Sequence, residues 1–564
     1  VKARRGLGLG DRAAVVAAIV VVGGAWFAWP VSPWLVALAA SLALALRHPV
    51  VVIVTLGLLA SCLAARAWAG LHAPDARTVQ GTATLVSDPM QANGAVHAEV
   101  RLDGRHFDAW ARGPGAGVLA RRLAGERVDL SASVSRGSLP GWLTSRHVVS
   151  RLQVDRVIPL DDGNVLARTA NSIRRVLVRG AEPLGQDRRT LFTGLVIGDD
   201  REQPIEITDD FLGAGLSHLL AVSGQNVAFV LAAASPLLRR LGLRTRVIAT
   251  VGLLILFATV TRYEPSVLRA TVMAGLACLA FSLGRRGPTV RLLLVTVVVL
   301  VLVDPFLVRS VGFGLSVAAS AGILVLSRPL AAAMPGPETL RQPLAVVLAA
   351  QVGVAPLLLA VFGGLPVASL PANLLAEPVA GLVMMWGATV GLLAGLVPKG
   401  LATLFHLPTM VGLWWIASVA RWSADARLGQ LGVTGMMAAV GLGAAALRAR
   451  VRHRCLGRSL AVALLAVLLW PAVIIRQAGP PDQFVDGAGT LRRTPDGTVL
   501  TVAADARPAS ALRALRARGV VHLDVVELPR GSAMEAVAAV IGRRIPVERV
   551  VTDRAETAET ESSG

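Results

Sequence analysis

The residues best able to do chemistry lie where polar groups are least welcome. Gly215-Leu216-Ser217-His218-Leu219-Leu220-Ala221-Val222-Ser223-Gly224-Gln225-Asn226 opens a long apolar stretch with histidine, serine, glutamine and asparagine. An unpaired polar group in hydrocarbon costs several kcal/mol, so this run suits a water-filled cavity or a broken helix. Packing between helices through small residues and amide hydrogen bonds is the alternative. In Glu264-Pro265-Ser266-Val267-Leu268-Arg269-Ala270, Glu264 and Arg269 could pair across a helix start with Pro265 in its first turn. Arg269 could instead reach outward to phosphates. In Pro371-Ala372-Asn373-Leu374-Leu375-Ala376-Glu377-Pro378, two prolines bracket Asn373 and Glu377, which predicts an interrupted helix or a re-entrant piece before it. The candidate residues for a hydrated path are His218, Ser223, Gly224, Asn226, Glu264, Ser266, Arg269 and Asn373.

Other chemistries lack their parts. Ser223-Gly224 has no Gly-x-Ser-x-Gly elbow and no Asp/His pair close in sequence, so a hydrolase acting through Ser223 and His218 has little support. No Walker A motif is present, which argues against ATP hydrolysis through a P-loop. Cys62, Cys278 and Cys455 form no Cys-x-x-Cys pair, so neither a disulfide framework nor a zinc knuckle is signalled. No catalytic residue, metal or cofactor is expected.

The elements that must hold the polar clusters are mostly membrane spans. Of 564 residues, 54% are hydrophobic and 16% charged, with mean hydropathy +0.62; a soluble domain carries about 25% charged residues. The apolar content falls in blocks long enough to cross about 30 Å of hydrocarbon. Three lie at 13–29, 34–46 and 49–65, within an N-terminal helical region 1–70. About ten more lie in 217–476, giving about thirteen spans. The basic start Val1-Lys2-Ala3-Arg4-Arg5 before the first block reads as a retained span rather than a cleaved leader.

Residues 71–160 alternate polar and apolar over Thr82–Val86, Ala95–Leu102, Phe107–Ala111, Arg127–Val134 and Val148–Ile158. Five short strands predict a small OB-like β-barrel, in which Phe107, Trp110 and Trp142 could stack bases but would more usually be core. Residues 161–216 predict interfacial helices, an amphipathic one over 165–182 bearing Arg168, Arg174, Arg175 and Arg179, and a short one over 188–197. Residues 480–552 predict a β-α-β-α-β unit, and 553–564 a disordered tail.

Lys+Arg exceed Asp+Glu by 56 − 36 = 20, which suits positive-inside topology or a polyanionic partner. One parity fits every connector. Arg239, Arg240, Arg244 and Arg246, then Arg285 and Arg286, Arg328 and Arg341, Lys399, and finally Arg448, Arg450, Arg452, Arg454 and Arg458 fall inside. Arg262, Arg309, Arg421 and Arg427, with Arg269 near a span start, fall outside. This parity predicts that 71–160 and the C-terminal region lie outside a cytoplasmic (inner) membrane.

Taken together, the motifs resemble the ComEC family of competence proteins. Gly215–Asn226 is similar to the family's Gly-Leu-x-His-x-(Leu/Ile)-Ala-(Val/Ile)-Ser-Gly-x-(Asn/His) signature, and Leu191–Asp199 to its Leu-Gly-Asp approach segment. Pro265–Ala270, Asp304-Pro305, Gly312-Phe313-Gly314-Leu315-Ser316 and Ala372-Asn373-Leu374 with Pro378 resemble four further elements, in order and spacing. The resemblance implies a channel admitting single-stranded DNA during natural transformation, with an OB-like domain and, in many members, a C-terminal metallo-β-lactamase-like domain. It also implies a DNA receptor outside, an ATP-driven motor inside and contact with membrane lipid, and it is compatible with a homo-oligomer. His218 and Arg269 would then meet phosphates near the outer mouth, with Ser223-Gly224 about a turn deeper. Asn226 and Asn373 could brace two broken helices. The C-terminus departs from the family. After Leu523–Leu528 the metal-ligand positions hold Arg530, Ser532, Met534 and Glu535, and His522 is the only histidine in the last hundred residues. That implies a degenerate, non-enzymatic remnant. The alternative is a secondary transporter or envelope scaffold that kept the fold and changed its cargo.

Overall fold

The structure, a computed structural model, describes residues 9–552 apart from 75, 93, 136, 138, 285–287, 427, 453, 478–482, 486–488, 495–496, 504–505, 507, 519, 521 and 530–531. Arg285, Arg286, Arg427, Arg530 and the expected tail 553–564 therefore lie outside the described residues. The chain divides into two compact units, one of residues 1–202, 221–357 and 378–413, the other of 203–220, 358–377 and 414–564.

The first unit opens with α1 (Leu9–Phe27), α2 (Pro33–Leu46) and α3 (Pro49–Ala69). Pro33 and Pro49 sit in the first turns of their helices, where a missing N–H costs nothing. α1 and α3 cross backbone to backbone, for a Cβ at Gly24 would lie 2.4 Å from the Gly57 carbonyl oxygen. Next come β1 (Thr78–Leu85), β2 (Met90–Ala92), β3 (Ala95–Leu102), β4 (Arg105–Ala111), α4 (Gly113–Ala120), β5 (Arg127–Ser135), α5 (Gly141–Thr144) and β6 (Val148–Asp161). They form a six-stranded sheet of order β1-β5-β6-β4-β3-β2, with a further pairing of β1 to β3. The five expected strands are all present, as β1, β3, β4, β5 and β6, and the sheet has a sixth. The missed strand is β2, only three residues long and too short for an alternation to show.

α6 (Val165–Gly180) and α7 (Gln186–Ile197) lead to a second run of helices. The second unit takes α8 (Ile205–Gly213) and α9 (Ser217–Leu220), and the first resumes with α10 (Gly224–Leu238). The apolar run expected at 217–238 is therefore two helices broken at 221–223. α11 (Leu243–Val260), α12 (Pro265–Ser282), α13 (Thr289–Val303), α14 (Val311–Ala333) and α15 (Glu338–Phe362) follow. Within the first unit α14 and α15 touch through their glycines. A Cβ at Gly322 would lie 2.3 Å from the Ala349 carbonyl oxygen, and one at Gly353 2.5 Å from that of Ala318.

β7 (Leu365–Pro366) precedes α16 (Ser369–Trp386), which runs through both Pro371 and Pro378. The interruption expected between those prolines is absent. Pro371 lies in the first turn, where it disturbs nothing, and Pro378 forgoes one hydrogen bond inside the helix. The irregularity comes later, as a π-turn at Gly387–Gly391 before α17 (Leu392–Ala394). α18 (Lys399–Phe405) and α19 (Leu407–Asp425) meet at a 55° bend. β8 (Gln430–Leu431), which pairs with β7, and the helices α20 (Val433–Arg452) and α21 (Arg454–Gln477) complete the helical part.

Among the described residues eight helices are long and apolar enough to cross a membrane, nine if the bent α18–α19 pair is one span. The expected count was higher because α2, α10, α13 and Val433–Ala449 are apolar but shorter. The 14 residues of α2 rise only about 21 Å.

The C-terminal part of the second unit has β9 (Gln483–Val485), β10 (Gly489–Thr494), β11 (Gly497–Val502), α22 (Pro508–Ala517), β12 (Leu523–Leu528), α23 (Ser532–Gly542) and β13 (Val547–Thr552). They make a mixed five-stranded sheet, β13-β12-β11-β10-β9, over a core that includes Leu500, Leu515, Val526 and Ile541.

Candidate functional site

In the first unit the helix break brings three motifs together. Ser223 caps α10, its Oγ accepting from the Gln225 N–H at 3.3 Å. The buried Asn226 donates from Nδ2 to the Leu195 carbonyl at 3.1 Å, which ties α10 to α7. The break leaves the Val222 carbonyl without a helical donor, and the Ser266 hydroxyl of α12 supplies one. Gly224 lies against α12 so closely that a Cβ there would fall 2.7 Å from Arg269 Nη2 and 3.0 Å from Ala270 Cβ. The Arg269 guanidinium donates from Nε to Ser316 Oγ of α14 at 2.8 Å and lies 3.9 Å from the Met273 sulfur. Among the described residues it has no carboxylate partner.

That corrects one of two expected pairings: Arg269 turns from Glu264 toward Ser316. The two residues are not held face to face because Glu264 precedes the helix, at its N-cap. Of the eight path candidates, Ser223, Gly224, Asn226, Ser266 and Arg269 meet in this junction, with Glu264 at its edge. His218 and Asn373 belong to the second unit. There His218 is exposed on α9. Asn373 is buried and donates to the Ser369 carbonyl at 2.7 Å. Gly215, at φ +70°, packs on the same serine, and a Cβ there would lie 2.5 Å from Ser369 Cβ.

A second polar concentration in the first unit is ionic. Arg174 of α6 is 2% exposed and bonds Asp88 (2.8 Å), Asp199 (3.0 Å) and the carbonyls of Ile197 and Val260. Arg262 chelates both Asp88 oxygens and reaches Asn171, while Arg201 chelates Asp199. Burial alone would raise the Asp88 pKa, but Arg174 and Arg262 outweigh it and hold it at about 2. Arg174 is thus not on the polar face of a surface helix. It follows Ala167, Ala170 and Asn171 along the buried stripe of α6.

Residues 195–453 match the family model of the competence protein. That stretch is similar to a competence-protein domain. A 213-residue stretch, 37% of the chain, is 30% identical to "ComE operon protein 3" of Bacillus subtilis (strain 168) and takes in 27% of that protein. The aligned stretch is thus well under half of the relative's length. No solved structure matches. Both findings support the ComEC-family resemblance read from the motifs.

The matched stretch contains the whole α10–α12–α14 junction. Ser316 is the functional neighbour that side-chain chemistry alone passed over. Its signal was available in Gly312–Ser316, where two glycines and a serine open an apolar helix. Leu195 contributes only a carbonyl, which no residue type announces. Outside the matched stretch, Phe107 is 2% exposed in the β-sheet core and cannot stack a base. Trp110 is half-buried, stacked on His97 at 4.5 Å with its Nε1 donating to Asp108. Trp142 is 54% exposed with the Arg146 guanidinium 5.7 Å from its ring. In the C-terminal part, Met534 is buried in the core and Glu535 is exposed. His522, Asp524 and Glu548 do gather with one ligand atom each within 4.8 Å of the others, at the start of β12 and β13. His522 and Glu548 are open to solvent, and Asp524 also accepts from the Thr498 N–H.

Proposed function

We propose that the chain is a path for single-stranded DNA across the cytoplasmic membrane during natural transformation. The observation that carries this reading is Arg269, a half-buried cation inside the stretch that matches the competence-protein family, with only neutral partners among the described residues. A polyanion supplies the counter-charge the protein withholds. Gly224 keeps the backbone of α10 back from the guanidinium, and Ser316 aims it. The name of the aligned Bacillus subtilis protein, a product of the ComE operon, fits the same reading.

The finer architecture belongs to this proposal. The four shorter apolar helices bring the spans to about thirteen, with the β-sheet region and the C-terminus outside. An OB-like reading of residues 71–160 rests on strand order, on the parallel β4–β6 pairing and on the extra β1–β3 pairing. A DNA receptor outside and an ATP-driven motor inside would complete the route, since no P-loop stands in the sequence. The C-terminal region serves without nuclease chemistry. Met534 is enclosed in its core, and among the described residues the one gathered set of potential ligands is His522, Asp524 and Glu548, of which His522 and Glu548 are exposed. The test is a deletion strain complemented with the gene and scored for labelled DNA reaching the cytosol. Undiminished entry in the deletion strain would end the proposal.

A further inference from the structure

Helix α8 presents three carboxylates, Glu206, Asp209 and Asp210, and each meets an arginine of the C-terminal α/β region of the same unit. Arg516 of α22 donates from Nη2 to Asp209 Oδ2 at 2.5 Å and from Nη1 to the Asp209 carbonyl at 2.7 Å. Arg544 bonds the Asp210 carboxylate and the Glu206 carbonyl, the latter at 2.9 Å. Arg543 reaches Glu206 Oε1 at 3.1 Å. Asp209 and Asp210 side chains are 4% and 6% exposed, so these are not surface pairs. Ile205, the first residue of α8, packs on the α/β core.

We propose that the C-terminal α/β region is a positioning clamp, which through Arg516, Arg543 and Arg544 fixes α8 and with it the Gly213–Gly215 turn that leads into His218. The clamp is built into the backbone as well as the charges. A Cβ at Gly213 would fall 1.9 Å from Arg516 Nη1, so any larger residue must push the guanidinium off Asp209. Downstream, α8 closes with the Ala214 N–H on the Asp210 carbonyl and the Leu216 N–H on that of Phe211, around Gly215 at φ +70°. Gly215 then bears directly on Ser369, whose carbonyl Asn373 takes. A displacement of Arg516 therefore passes through one helix and one tight turn to Asn373, without any metal or hydrolytic step.

The clamp does not rest on the DNA-path reading, and the two are tested apart. Hydrogen exchange of the 205–216 amides is measured in the purified full-length protein. Arg516→Glu is expected to speed it about tenfold. Arg516→Glu combined with Asp209→Arg is expected to slow it again. Gly213→Val is expected to loosen the same amides with no change of charge. Wild-type exchange in both Arg516→Glu and Gly213→Val would overturn the clamp. DNA entry is scored on the same variants. Loosened amides with undiminished entry would leave the clamp standing and count against the path.

Discussion

Two arginines of the first unit, Arg174 and Arg269, are both drawn out of water, and their partners set them apart. Arg174 has two carboxylates and two carbonyls and is sealed. Arg269 has a serine hydroxyl and a thioether, with a glycine backbone beside it. A buried charge with its counter-charge in place acts as a fastener, and removing it strands the partners. A partly buried charge without one is open to an anion that arrives from elsewhere. The type of residue is the same, and the neighbours decide whether it holds the fold or serves it.

The contrast breaks most visibly at Arg174. Arg174→Ala leaves Asp88 and Asp199 short of a cation and is expected to cost about 3–5 kcal/mol, seen as loss of the protein from membranes. Next comes Gly224→Leu, whose side chain cannot share space with Arg269. DNA entry is expected to be lost, with some fall in abundance. Asn373→Leu, which removes the side-chain donor to the Ser369 carbonyl, is expected to do likewise. Arg269→Ala is expected to lower transformation about tenfold, equivalent to about 1.4 kcal/mol, at near-normal abundance. His218→Ala is expected to give a smaller loss. If Arg269→Ala and His218→Ala both transform like wild type at equal abundance, the polar path lies elsewhere and these groups only pack helices.

Acid sharpens the contrast from the other side. The Asp88 carboxyl has an ordinary value of 3.8 and sits at about 2 in the fold. Its contribution to stability is therefore full above the ordinary value and is lost as pH falls from there through about 2. Proteolysis near residues 161–165 of the purified protein is expected to stay constant down to about pH 4 and rise below it. An onset near pH 6 would point to a histidine instead. The smallest effect concerns topology. The charge count puts Lys399 inside and 161–216 outside, yet Lys399 Nζ lies 3.0 Å from Glu182 Oε2 at the tip of the α6–α7 hairpin. Single cysteines at 182 and 399 are expected to react with a membrane-impermeant reagent from the same face. Labelling from opposite faces would restore the simple loop parity.

How much of this was legible in the sequence differs by residue. The apolar runs, the break before Gly224 and the β-α-β alternation after Gly497 followed from periodicity and composition, because each is local. The Ser266 and Asn226 partners were not readable, since both are backbone carbonyls distant in sequence. Arg174 was misplaced although its helix announced it, for it lies seven residues after Ala167 on the buried stripe. The usual exclusion of arginine from buried faces outweighed the spacing, and the exception is explained by Asp88, 86 positions away, together with Asp199.

The crossing of α14 and α15 has a consequence for motion. With Gly322 and Gly353 in backbone contact, neither helix can slide past the other without a collision of main chains. They travel as one rigid body. Ser316 rides on that body, while Arg269 rides on α12. Were the junction to widen along the seam between α12 and this body, the Arg269–Ser316 hydrogen bond would part, and the guanidinium would lose its hydroxyl partner at the moment a phosphate could take that place.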